Sequence, residues 1–188
     1  MGLRAAEDLW QGGRMVEHID EVVVRPATTR DAEEIARVHV SSWQEAYASI
    51  IPDAYLRALD PAQRAERWAH DLARGPQDHV TTYVAESEGR VLGFATYGPS
   101  RDEDARRGER EIYSMYLDPG TWGHGVARDL IRTVLGDVGE QTPMSLWVLA
   151  DNARARHFYR RHGFSPDGVE RLESLGGADL LEVRYRRS

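Results

Sequence analysis

The stretch LDPGTWGHGVARDLI, residues 117–131, places Gly120, Gly123 and Gly125 within six positions, immediately before helical periodicity begins. Glycine loses more freedom on ordering than any other residue, so such a cluster must form a turn or clear space. A strand end, a glycine turn and a helix start together make an anion site. The first-turn amides have no intrahelical acceptor and the macrodipole puts partial positive charge there. Without Cβ atoms in the way, a phosphate can reach those amides. A pyrophosphate-bearing cofactor is one reading; a tight strand-to-helix connection is the other, and the glycines alone do not choose. The spacing is not a P-loop, which needs a lysine. Nor is it a dinucleotide fingerprint, because Arg128 stands where the third glycine would be.

A second stretch, LWVLADNARARHFYRRHGF, couples an apolar run to a helix opening at Asn152 and carrying Phe158 and Tyr159 on its second turn. Taken alone, Tyr159 reads as a core aromatic and Asn152 as an N-cap. His157 and His162 are five apart and so lie on different helix faces. Nothing resembles HExxH, and no metal site is expected.

The bulk composition narrows the chemistry further. The 188 residues carry a formal net charge of -7, which argues against a basic nucleic-acid-binding surface. There is no cysteine, which removes thiol nucleophiles, disulfides and thiolate metal sites. All 24 basic residues counted as Lys or Arg are arginine, which removes a Schiff-base lysine and self-acetylation on a lysine side chain. No apolar run approaches the roughly 20 residues that span a bilayer. The first residues lack the apolar segment of a secretory signal, so a cytoplasmic protein without membrane attachment is expected. The Gly12-Gly13 break suggests a flexible extension over residues 1–20, with a single domain over 21–188.

The elements that would position these groups follow from periodicity and caps. Residues 22–25 read as a strand, and Thr28 and Asp31 as a capping signal for a helix through AEEIARVHVSSWQEAY. Pro52 opens a short helical piece, and Asp60-Pro61 caps a helix ended by Gly75. HVTTYVAES and RVLGFATYG form a hairpin about Glu88-Gly89, and the charged residues 100–110 read as a mobile loop. EIYSMYL is a strand, VARDLIRTVLGDV a helix, MSLWVLA a buried strand, NARARHFYRRH a helix and ADLLEVRYR a final strand. That order predicts one mixed α/β (α+β) domain with a central sheet.

WGHGVA, residues 122–127, resembles the acetyl-CoA pyrophosphate loop of the GNAT superfamily of N-acetyltransferases, [R/Q]-x-x-G-x-[G/A]. NARARHFYRRHGF is similar to the family's downstream N-x-x-A-x-x-F-Y-x-x-x-G-F segment. The resemblance runs from about residue 22 to 186 and departs at Trp122, which stands at the Arg/Gln position. Because backbone amides do most of the phosphate work in this motif, binding is expected to survive without the bond that an Arg or Gln side chain would add.

What the resemblance implies is a sheet of about six to seven strands, with two splayed parallel strands forming the acyl-CoA cleft. Acetyl-CoA would be the co-substrate. Its pantetheine arm would pair with backbone at Met115 and Leu117, and its pyrophosphate with the amides of Gly123, His124, Gly125, Val126, Ala127 and Arg128. Asn152 would bond the arm, and Tyr159 would protonate the departing thiolate, since a phenol with pKa near 10 is protonated at neutral pH. The general base is open: Glu111 is the first candidate, against a plain surface glutamate, with His39 and His124 behind it. Trp43, Tyr47, Tyr97 and Tyr113 would line the acceptor pocket, although Trp43 and Tyr47 at i, i+4 could equally be core. The implied reaction is acetyl transfer to a primary amine of a small molecule: an amine, amino acid, amino sugar or antibiotic. Alternatives are a protein or peptide N-acetyltransferase and a non-catalytic acyl-CoA-binding regulatory module. Dimers are common in the family, so a homodimer is the assembly it suggests.

Overall fold

The computed structural model describes residues 21–188; the extension expected over residues 1–20 lies outside them. The elements run β1 (Val23–Pro26), α1 (Ala32–Ala46), α2 (Asp53–Arg57), α3 (Pro61–Arg74), β2 (Thr81–Ser87), β3 (Arg90–Pro99) and β4 (Arg110–Leu117). Then come α4 (Val126–Val138), β5 (Met144–Leu149), α5 (Ala153–Arg161), β6 (Ser165–Leu175) and β7 (Ala178–Arg187). They build one seven-stranded sheet in the order β1-β2-β3-β4-β5-β7-β6. Among the described residues only β4 and β5 pair in parallel, joined by the crossover helix α4.

The caps act as the sequence indicates. The Asp31 carboxylate accepts the Thr28 amide at 2.7 Å and is gripped by both terminal nitrogens of Arg25. Arg25 holds its pKa down to about 2. Asp60 accepts from the Ala62 amide at the start of α3. Strand alternation then sorts the core into two layers. Ile35 and Val38 of α1, with Trp68 and Leu72 of α3, pack on Val84, Val91 and Phe94. On the opposite face, Val126, Leu130, Ile131 and Val134 of α4 pack with Ile112, Leu146, Tyr185 and the α5 residue Tyr159. Full burial of such side chains contributes about 2 kcal/mol each. A third cluster closes the end near α2, joining Ile51 and Leu56 to Leu149 and Leu180. No helix among the described residues is long and apolar enough to cross a membrane.

Two readings of the sequence are corrected. β6 is a strand that the sequence does not show: it carries Pro166, Asp167 and Gly168, is exposed along nearly its whole length, and pairs with β7 alone among the described strands. The charged residues 100–110 are docked rather than loose. Arg184 of β7, only 3% exposed, bonds Asp102 and Asp104, and Arg186 bonds Asp104 and Glu109. The Trp147 indole also donates to Asp102 at 3.0 Å.

Candidate active site

The cleft begins with a bulge. On β4, Ile112 faces Tyr97 and Ser114 faces Thr96 of β3, so Tyr113 is an extra residue. A bulge bends its strand and strengthens the local twist. Pairing of β4 with β5 stops at the same place, after Arg110↔Met144, Glu111↔Ser145 and Ile112↔Leu146. From 113 to 117 the β5-facing edge of β4 has no strand partner among the described residues, although its other edge stays paired to β3. Met115 and Leu117 lie on this open edge, where main-chain groups remain available to an extended ligand arm. Tyr113 is fixed across β3: its hydroxyl donates to the Pro99 carbonyl at 2.6 Å, and only a glycine at 98 leaves room for its ring.

The glycine loop stands at the open end. Asp118 accepts the Gly120 amide at 3.1 Å and is held by Arg37 and Arg90, so the turn is anchored to α1 and β3. Gly123 and Gly125 both adopt φ of +89°, and Gly125 is the N-cap of α4. Their first requirement is therefore a backbone conformation that side chains resist. A Cβ at Gly123 would also project into open space, so that side of the loop is clear for a ligand. Among the described residues the amides of Gly123, Gly125, Val126, Ala127 and Arg128 donate to no carbonyl, as a helix start requires. His124 is exposed on the loop, and its amide bonds back to the Thr121 carbonyl at 3.3 Å. Its amide is thus the one member of the expected phosphate set already engaged.

At the inner end four elements converge. Asn152 caps α5 by accepting the Ala155 amide at 3.0 Å, and it lies with Tyr116 against the Tyr47 hydroxyl. Trp43 meets Tyr47 edge-on at 5.4 Å and Tyr116 at 6.1 Å. Tyr159 is 7% exposed, and its ring packs on Phe164 at 5.9 Å. Burial, then the neighbouring Tyr47, push the Tyr159 phenol well above its ordinary pKa, so it holds its proton throughout the neutral range. Burial raises Tyr116 and Tyr47 in the same way. The expected residues Trp43, Tyr47, Asn152 and Tyr159 thus stand together.

Two residues of this cluster carry no local sequence signal. Tyr116 shares the α1-facing side of the sheet with Phe94, opposite which it is paired. Glu182 of β7 is paired opposite Leu149, on the side that meets Tyr47 and Leu180. Its negative charge reaches both Tyr47 and Tyr116 and opposes their ionisation. One oxygen, Oε2, accepts from Arg171 at 2.7 Å, while Oε1 has no partner among the described residues. Arg171 in turn stacks on Trp147 at 4.1 Å.

Other expected site residues fall elsewhere. Tyr97 does not face the acceptor side: alternation from Phe94 turns Ala95 and Tyr97 toward α4, where the Tyr97 hydroxyl donates to Asp137. Glu111 is neither a surface glutamate nor a free base. It is 2% exposed, and both its oxygens accept from Arg101, whose backbone amide adds a further bond at 2.9 Å. His39 is stacked on Tyr116 at 4.8 Å, and its Nδ1 accepts a hydrogen bond from the Trp68 indole N–H at 3.3 Å. Burial and the charge of Arg64 lower its pKa to about 3, leaving a neutral ring. Tyr113 borders a cavity of about 370 Å³ with Ser114, Thr96, Thr82 and Trp68. That cavity lies under α3 and shares no residue with the glycine loop or α5.

Residues 40–164 match the model of the acetyltransferase (GNAT) family. The uncharacterized N-acetyltransferase YuaI of Bacillus subtilis (strain 168) is 32% identical over 166 residues, covering 86% of this chain and 90% of that protein. The L-amino acid N-acetyltransferase AaaT of Escherichia coli (strain K12) is 26% identical over 171 residues, covering 89% and 97%. Among solved structures, the PaiA N-acetyltransferase of Thermoplasma acidophilum in complex with coenzyme A superimposes with a TM-score of 0.69 at 17% identity, over 89% of this chain and 99% of that one. The parted β4 and β5, the loop feeding α4 and the matched sequence all agree, and the chain belongs to the acetyltransferase (GNAT) family.

Proposed function

We propose that this chain transfers the acetyl group of acetyl-CoA to the primary amine of a small molecule by direct attack on the thioester. One observation carries this reading. The unpartnered edge of β4 leads from a loop of free amides to a cluster of protonated phenols. An extended arm would pair with the edge while the diphosphate end meets the amides of Gly123, Gly125, Val126, Ala127 and Arg128. The open side of Gly123 fits that use. When bound, acetyl-CoA supplies an activated acetyl thioester.

The chain's own groups then divide the work. A backbone N–H of β4 near the bulge polarises the acetyl carbonyl and stabilises the charge that develops on its oxygen. The Tyr159 hydroxyl, kept protonated by burial, donates to the departing sulfur. Glu182 takes the proton from the acceptor's ammonium through its free Oε1, directly or through one water. Trp43, Tyr47 and Tyr116 enclose the amine. Glu111 instead holds the start of β4 against Arg101. The E. coli relative named for L-amino acids puts that class first among acceptors to try.

The test is thiol release from acetyl-CoA across L-amino acids, amino sugars, polyamines and short peptides, with the acetylated product identified by mass spectrometry. The expected result is release that requires a small amine and matches N-acetyl product one for one. Release with peptides alone would replace this reading with a protein-modifying enzyme. Coenzyme A binding with no release on any acceptor would leave a binding module.

A further inference from the structure

Trp122 occupies the position where the family motif carries Arg or Gln, so this loop has no cationic or amide side chain at that point. A cation from α5 stands on the indole instead. The Arg154 guanidinium lies over the Trp122 indole, with Cζ 4.0 Å from the ring centroid. Trp122 ends the turn leading into α4, and Arg154 is the second residue of α5. The stack therefore joins the two helix starts that flank the open end of the cleft.

Arg154 differs from its neighbours in having no hydrogen-bond or ion-pair partner among the described residues, its one contact being the Trp122 ring. Arg128 is paired with Asp129, and Arg156 is bonded to the Tyr185 hydroxyl and the Ala150 carbonyl. Partial burial pulls the Arg154 pKa somewhat below its ordinary value. Stacking engages the flat face of a guanidinium and leaves its N–H edge free for hydrogen bonds in the plane. A side chain held in this way forfeits less freedom on meeting a ligand than a loose one.

We propose that Arg154 is the phosphate-binding cation of this site. Trp122 positions it so that its free N–H edge pairs with a phosphate oxygen of coenzyme A, supplying from α5 the side-chain contact that the motif's Arg or Gln would make. This rests on the coenzyme A reading above. The partner oxygen belongs to the diphosphate or to the 3′-phosphate, which share the same chemistry.

The experiment is calorimetric titration of wild type, Arg154→Gln, and Arg154→Gln combined with Trp122→Arg, using coenzyme A and 3′-dephospho-coenzyme A at low and high salt. Arg154→Gln is expected to weaken coenzyme A by about tenfold or more at low salt, the size of one charge-assisted bond. The loss should shrink at high salt. The double variant, which returns an arginine to the loop, should recover most of the affinity. Loss toward both ligands assigns the diphosphate, and loss toward coenzyme A alone assigns the 3′-phosphate. Wild-type affinity in Arg154→Gln would overturn the proposal. So would a salt-independent loss accompanied by a lower melting temperature without ligand, since that marks a brace between α4 and α5. If wild type binds neither ligand, the coenzyme A reading falls and takes this proposal with it, whereas binding indifferent to Arg154 removes only this step.

Discussion

Tyr159 and Glu111 show how far a single residue can be read in advance. Tyr159 sits in a motif whose spacing fixes a strand, a cap and a helix, so its place beside the cleft is legible. Its environment is only partly so: Phe158 and Phe164, which pack on its ring, lie in the same motif, but the burial and the neighbouring Tyr47 that keep its proton in place come only with the fold. We expect Tyr159→Phe to lower kcat by about a hundredfold, the typical worth of a positioned acid, while coenzyme A affinity stays within about twofold. Steady-state kinetics with parallel titration measure both. Glu111 has the right residue type at the right end of β4, but nothing local announces Arg101 as its partner. Glu182 has no motif at all, because its place beside Tyr47 depends on β7 pairing opposite Leu149. Glu182→Gln should therefore lower kcat without loss of folding. Glu111→Gln should instead lower the unfolding midpoint, because it leaves Arg101 without its buried carboxylate. The reverse pattern would return the base to Glu111.

Among the elements, the helices and most strands follow from periodicity and caps, and α4 spans the residues its apolar spacing indicates. What periodicity misses has a common cause. β6 buries almost nothing, so no alternation marks it; its charged residues suit an edge strand that must not recruit another chain. Tyr97 is misplaced by the sequence because its side of the sheet depends on strand phase, which turns it onto Asp137. Residues 100–110 look solvated when read alone, and it is β7 that supplies the arginines that dock them. Arg184 lies almost wholly buried among Asp102, Asp104 and Asp167. Removing it with Arg184→Ala should cost about 3 kcal/mol, since it strands partly buried carboxylates. Asp104→Asn, on an exposed partner, should leave the urea midpoint close to that of wild type. Urea unfolding of both variants measures the contrast, and equal losses would show that the loop is not held through Arg184.

For the molecule as a whole, the bulge at Tyr113 links fold to chemistry. Pairing of β4 with β5 ends beside it, leaving open strand edges next to the glycine loop that follows β4 and the α5 that follows β5. The two motifs make the loop and α5 legible, while the convergence of Trp43, Tyr47, Tyr116 and Glu182 requires the sheet register. Acetyl-CoA should occupy the cleft in the folded chain and have no site in the unfolded one. Ligand at a hundredfold excess over its dissociation constant adds about 2.7 kcal/mol of stability. In a domain of this size that corresponds to a rise of roughly 5 °C or more in melting temperature. The decisive measurement is thermal unfolding with and without a large excess of acetyl-CoA. A rise of that size, growing with the logarithm of ligand concentration, is the result the cleft predicts; an unchanged melting temperature would contradict it.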